Sequence, residues 1–173
     1  AELPFNSDNY SVAHPALSLD EKTLYFASDM PGTLGQSDLF KVTINENGTY
    51  STPENLGAKI NTEGRETFPT ISAENELYFA SDGRPGLGGL DIYVTRLDEN
   101  QNIGEIQNIG EPVNSPKDDF SFLIDSETRK GFFTSNRDGG KGFDDIYKFT
   151  ETNKLICEQS LIGVIKDKES GEI

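Results

Sequence analysis

Cysteine and histidine are almost missing from this 173-residue chain, each occurring once, as Cys157 and His14. A lone cysteine excludes an intrachain disulfide, and one histidine with one distant cysteine cannot build a zinc site from those ligands. The same pair is poor material for a catalytic dyad. Basic residues are also scarce: 15 Lys and Arg stand against 30 Asp and Glu, for a net charge of −15. Nucleic-acid phosphates and anionic lipid surfaces would be repelled, and the acidic excess reads first as solubility. No run of 18 apolar residues occurs, which excludes a hydrophobic transmembrane helix. The opening Ala1-Glu2-Leu3-Pro4 lacks an initiator Met, a charged n-region and an apolar h-region. It reads as a processed chain or an excised segment, with any targeting signal or lipid anchor outside it.

What the chain does have is a sentence written three times. Leu77-Tyr78-Phe79-Ala80-Ser81-Asp82 is followed by a Gly-rich loop and then Asp91-Ile92-Tyr93. The same phrase appears as Leu24 to Asp29 with Asp38-Leu39-Phe40, and as Gly131 to Asn136 with Asp145-Ile146-Tyr147. Ser28, Ser81 and Ser135 stand 53 and 54 positions apart, as do Asp38, Asp91 and Asp145. Each copy is a short aromatic run, a loop of Gly, Pro, Ser and Asp, and a second short run, which predicts a β-hairpin with a long connection. A lead-in precedes each copy: Phe5-Asn6-Ser7, Ile60-Asn61-Thr62 and Val113-Asn114-Ser115. An inner strand follows each lead-in, at His14 to Ser18, Phe68 to Ser72 and Phe120 to Ile124. Asn47-Gly48 is the strongest two-residue hairpin signal, and Asn100 to Gly104 takes its place in the second copy.

With 34% hydrophobic and 10% aromatic residues the chain has material for a packed core. No helical apolar spacing occurs. The expected fold is all-β: three four-stranded antiparallel β-propeller blades of about 53 residues, since a strand-built repeat of this period reads as a propeller blade. The blades fall near residues 5–57, 58–110 and 111–150, the third without an outer strand inside its repeat. Residues 151–173 read as a linker and the first strand of a following β-domain. Three blades leave open sheet faces, so pairing with further blades or with another copy is expected.

The repeated polar residues invite two readings. Asp29, Asp82 and Asn136 close the second strand, while Asp38, Asp91 and Asp145 open the third. Their oxygens suit Asx-type bonds to loop N–H groups, and their presence in every copy favours a structural, loop-closing role. The competing reading is Ca²⁺, which takes 6 to 8 oxygens; Asp98-x-Asn100-x-Asn102 has that flavour, but Ile109 stands where an EF-hand loop would need its closing Glu. Gly86 to Gly89 and Gly139 to Gly142 precede no helix and no Ser or Thr follows Lys141, so they are turn glycines rather than phosphate loops. His14 aligns with Phe68 as an inner-strand packing position. The paired aromatics Tyr25-Phe26, Tyr78-Phe79 and Phe132-Phe133 alternate faces and read as core. No catalytic, cofactor or metal residues are assigned. Met30, Leu34, Arg84, Leu87, Arg137 and Phe143, with Pro31 and Pro85, are left as exposed loop residues of a partner-binding surface.

The quoted phrases resemble the TolB-type (WD40-like) propeller repeat over residues 5–150. The forms Gly-Leu-Gly-Gly-Leu-Asp-Ile-Tyr (86–93) and Ser-Asn-Arg-Asp-Gly-Gly-Lys-Gly-Phe-Asp-Asp-Ile-Tyr (135–147) are similar to those in multidomain OmpA-family outer-membrane proteins, some of them in type IX secretion and gliding machinery. Leu161 to Asp167 is similar to the start of the carboxypeptidase-regulatory-like β-sandwich that follows such propellers. The resemblance implies a non-catalytic scaffold of the periplasm, associated with the outer membrane, whose partners are cell-envelope proteins. Peptidoglycan would be bound only through a domain that this chain does not contain. The count departs from the family, whose propellers have more than three blades. An accessory propeller of a hydrolase and a glycan- or Ca²⁺-binding module are the alternatives.

Overall fold

The computed structural model describes residues 1–155, so Cys157 and the expected strand at Leu161 to Asp167 lie outside the described residues. Those residues form eleven strands and no helix. The first sheet is β1 (Val12–Leu17), β2 (Thr23–Ser28), β3 (Asp38–Thr43) and β4 (Glu54–Asn55), hydrogen-bonded in that order. The second is β5 (Glu66–Ile71), β6 (Glu76–Ser81), β7 (Asp91–Leu97) and β8 (Ile103–Asn108), again in chain order. The third contains β9 (Asp119–Asp125), β10 (Lys130–Ser135) and β11 (Asp145–Thr150). All pairings between these strands are antiparallel, with one parallel bridge from Ser37 to Arg65 between the first two sheets, and the all-β expectation holds. The outer strand β4 is only two residues long.

Three local features recur once per sheet. The turn from first to second strand carries a left-handed residue each time, Glu21, Asn75 and Arg129, with φ of 58°, 60° and 54°. Inside each first strand, His14, Phe68 and Ser121 are also left-handed, at 55°, 50° and 54°, and the pairing register slips beside each of them. These are β-bulges at non-glycine residues, a strained choice held by its surroundings. The neighbouring rings stack from sheet to sheet: His14 lies 3.8 Å from Phe68, and Phe68 4.8 Å from Phe120. β1, β5 and β9 lie side by side, and the sheets stack from there outward.

Alternation of side chains gives each sheet two faces. One face of the first sheet, with Tyr25, Ala27 and Leu39, meets Leu77, Phe79 and Tyr93 of the second. The corresponding face of the second, with Tyr78, Ile92 and Val94, meets Phe122 and Phe133 of the third. The second sheet is therefore buried on both sides, and every residue of β6 is buried. β11 instead alternates between exposed and half-buried residues, because only one face of the third sheet is covered. Phe5, Phe26, Met30, Phe40 and Val42 form a further cluster on the other side of the first sheet.

A buried asparagine clips each sheet to the start of the next. Asn61 accepts from the Leu39 N–H (2.8 Å) and donates to the Leu39 carbonyl (3.0 Å) and to Asn55 Oδ1 (2.8 Å). Asn114 does the same to Ile92 (2.9 and 2.9 Å) and Asn108 (2.8 Å). Each amide supplies the acceptor that the third-strand N–H would otherwise lack, and shares the carbonyl with the N–H of Leu56 (3.0 Å) or Ile109 (3.2 Å). Asn61→Ala and Asn114→Ala are each expected to lower the unfolding free energy by about 1–3 kcal/mol, since a buried N–H loses its partner while the carbonyl beside it keeps the N–H of Leu56 or Ile109. The exposed Asn9→Ala should change it by about 0.5 kcal/mol or less. Urea titration followed by tyrosine fluorescence measures all three.

Candidate interaction surface

The long loops between second and third strands are held from one end. Asp38 accepts from the N–H groups of Leu34 (2.9 Å) and Gly35 (3.4 Å). Asp91 accepts from Leu87 (2.8 Å) and Gly88 (3.0 Å), and Asp145 from Lys141 (2.7 Å) and Gly142 (3.2 Å). The aspartates that open the third strand are thus the loop-closing residues. Gly86 and Gly140 lie against these clamps, where a Cβ would come within 1.9 and 2.0 Å of the Asp91 and Asp145 carboxylates.

The residues at the other mouth do something different. Asp29, Asp82 and Asn136 accept from the N–H groups of Ser11 (2.6 Å), Arg65 (2.6 Å) and Asp118 (2.8 Å). Their side chains reach across to the segment before the first strand rather than into the loop, which corrects the expectation that both mouths close it. Desolvation pushes the Asp82 carboxyl up, but the Arg65 N–H and guanidinium outweigh it and hold it below its ordinary value.

Three of the expected surface residues are engaged inside the fold. Met30 is 6% exposed and belongs to the cluster on the first sheet. Arg137 places its guanidinium 4.9 Å from the ring centres of Phe133 and Tyr147 and donates to the carbonyls of Pro112 and Val113 and to Asp119. Arg84 lies over Phe79 and Tyr93 at 5.8 and 5.9 Å and donates to the carbonyls of Lys59 and Ile60. Both arginines bolt an aromatic face to the lead-in that ends in Asn61 or Asn114. A loop arginine flanked by Gly or Asp ordinarily points to water; here two nearby rings and free carbonyls draw it inward. Leu34, Leu87 and Phe143 remain outside, at 51, 46 and 96% exposure. Leu34 and Leu87 occupy matching places in successive loops, and the clamps of Asp38 and Asp91 hold the very amides of those leucines.

Two carboxylates with no role in the sequence reading are fully buried. Glu66 accepts from Thr62 N (2.7 Å), Thr62 Oγ1 (2.7 Å) and Ser81 Oγ. Asp119 accepts from Ser115 N (2.6 Å) and Ser115 Oγ (2.8 Å) as well as from Arg137. The signal was their matching distance beyond Asn61 and Asn114, with Val12 at that strand position in the first repeat. His14, a packing residue by sequence, donates to or accepts from Thr67 Oγ1 at 2.7 Å through Nδ1, and partial burial lowers its pKa. Asp98 accepts from Asn100 N (2.8 Å), Asn102 N (2.8 Å) and Asn102 Nδ2 (2.9 Å), which makes Asp98-x-Asn100-x-Asn102 a self-bonded hairpin turn. Among the described residues no group of three or more His, Cys, Asp or Glu is arranged to hold a metal ion.

No protein-family model matches the chain, and no curated protein matches it. The surface is therefore read from its own geometry. It offers exposed apolar side chains on clamped loops, and its repeated polar groups are spent on backbone N–H groups, carbonyls and one another.

Two expectations follow from the clamps and bolts. Arg137→Met, which copies the first repeat's Met30, keeps a side chain over the rings but leaves the fully buried Asp119 without its cation. It should cost about 3–5 kcal/mol, the range for removing one partner of a buried pair. Arg84→Met should cost less, because Arg84 bonds only carbonyls; chemical denaturation ranks the two. Burial first, and then the charges of Asp119 and Asp118, raise the Asp91 carboxyl against the pull of the Leu87 and Gly88 amides. The folded chain holds that proton more tightly than the unfolded chain. Its stabilisation is complete below the unfolded value of about 4 and is lost as pH rises through the higher folded value. Asp91→Asn removes this titration, so its stability relative to the parent should rise between pH 4 and 7, as measured by urea unfolding at several pH values.

Proposed function

We propose that the three sheets are blades of a β-propeller and that the chain is a non-catalytic scaffold for protein partners, working in the periplasm in association with the outer membrane. The observation that carries the reading is the pairing of role and position in the loops. Asp38 and Asp91 hold the backbone that displays Leu34 and Leu87, while Met30 in the first of these loops and Arg84 in the second turn inward and stiffen them. Rigid display of exposed apolar side chains costs little ordering entropy on binding, which is what a recognition surface needs. The placement in the cell envelope rests on the resemblance of the repeated phrases to the OmpA-family propellers. A net charge of −15 agrees with protein partners rather than nucleic acid.

The test is capture of envelope proteins by the immobilised chain, with a Leu34→Arg, Leu87→Arg, Phe143→Arg variant beside the parent. Recovery of a specific partner is expected to fall at least tenfold in the triple variant. Its melting temperature should stay near the parent's, because exposed substitutions usually change stability by about 0.5 kcal/mol or less. Equal recovery by parent and variant would remove these loops as the binding surface. Loss of a bound metal or of a turnover after Asp91→Ala, with the fold intact, would replace the scaffold reading with a site.

A further inference from the structure

The joint between sheets is made twice inside the chain; of a third such joint the tail half is bare on the third sheet, while at the head Asn6 is exposed beside a first-sheet face whose Phe5, Phe26 and Phe40 are covered by Leu3, Tyr10 and Tyr50. In each internal joint an apolar–Asn–Ser/Thr lead-in sits on the third strand of the sheet before it, with Asn61 on Leu39 and Asn114 on Ile92. Leu39 is 0% and Ile92 1% exposed there. Their counterpart in the third sheet, Ile146, stands on the edge strand β11 and is 76% exposed. Phe132, which takes the place of Tyr25 (1%) and Tyr78 (3%), is 50% exposed, and Leu123 beside it on β9 is 55% exposed. The complementary half is the first lead-in, Phe5-Asn6-Ser7. Asn6 is exposed, and among the described residues its side chain makes no hydrogen bond, although its own N–H bonds the Leu3 carbonyl as the internal lead-ins do one residue further back. Around it, Leu3, Tyr10 and Tyr50 are only partly buried and leave apolar surface on that side.

We propose that this face is filled by a second copy of the chain, head to tail: Asn6 of one copy clips the Ile146 backbone of the other, and the bare face of Phe132, Leu123 and Ile146 packs on the Leu3, Tyr10 and Tyr50 surface that covers the partner's first sheet. A contact between unlike surfaces closes into a ring when its rotation allows and otherwise runs on as a filament. Two copies of three sheets make six, within the four to eight blades of closed propellers. Two such contacts then close the assembly and cover the open face of each third sheet. This inference rests on reading the sheets as blades, and it is independent of the Leu34 and Leu87 loop surface.

Light scattering coupled to gel filtration at micromolar concentration tests it. The chain is expected at twice its 19.1 kDa mass. Asn6→Ala and Ile146→Arg should each run as monomers with an unchanged β-type circular dichroism spectrum. An equimolar mixture of the two variants should recover dimer, because the intact tail of the first meets the intact head of the second. A monomeric parent, as when blades from elsewhere in a longer polypeptide cover the face, would overturn the proposal. So would a dimer that survives Asn6→Ala, the outcome of tail-to-tail pairing through the third sheet alone. If Ile146→Arg unfolds, Asn6→Ala and Phe132→Ser carry the test. Failure of this assembly with intact loop-dependent partner capture would leave the scaffold reading standing.

Discussion

A peptide group at the outer edge of a third strand has nowhere to go unless something imitates the next strand. In the first sheet the outer strand β4 is only two residues long, opposite Phe40 and Lys41, so without Asn61 the buried Leu39 N–H would have no partner and its carbonyl only the Leu56 N–H. The side-chain amide of Asn61 meets both, and Asn114 meets both at Ile92. An amide side chain carries a donor and an acceptor in nearly the geometry of a peptide, which glutamate, serine or aspartate could not offer here. Everything above this bond is arranged to hold it. Asn55 and Asn108 accept from the clip, Arg84 and Arg137 bond the carbonyls just before it, and Glu66 and Asp119 bond the Thr or Ser just after it.

Acidic residues in this chain divide into populations with different physics. Asp20, Asp98 and Asp125 sit fully exposed in turns, where hydrogen bonds from Ser18, Asn102 and Thr128 respectively hold their pKa values down. Glu66 and Asp119 are fully buried and are satisfied by amides, hydroxyls and, for Asp119, a guanidinium. Asp91 is equally buried but incompletely satisfied, with one oxygen serving two loop amides while Oδ1 has no partner. A single net charge therefore describes solubility but says little about any one carboxylate. Burial acts on phenols as well: it raises Tyr25 to about 12, with Asp20 adding to it.

Much of the fold was legible because the period, the aromatic pairs and the turn residues repeat. The inner strands predicted at His14 to Ser18 and Phe68 to Ser72 differ from β1 and β5 by one or two residues at each end. The aspartates Asp38, Asp91 and Asp145 were legible as turn chemistry because a short carboxylate ahead of a strand has few other uses. The clip was not. Asn61 and Asn114 marked the start of each repeat, but their partners lie 22 residues back, and no local spacing announces a bond of that kind. The bulges at His14, Phe68 and Ser121 carry no glycine to signal a left-handed residue. Met30, Arg84 and Arg137 looked exposed because their neighbours are glycine, proline and aspartate. Their destinations are rings and carbonyls brought near only by stacking of the sheets. Leu34, Leu87 and Phe143 are exposed, since nothing in the packing competes for them.

The direction of the clip has a meaning for the order in which the chain is made. Each joint reaches backward, from a lead-in to a strand 22 residues earlier. During synthesis from the N-terminus, a newly made sheet keeps an unfinished outer edge until the opening of the following repeat has left the ribosome. Domains fold as units as they emerge, but here the unit that can close is offset from the repeat that the eye picks out. It runs from one asparagine to the next, so completion of each sheet is timed by the birth of its successor.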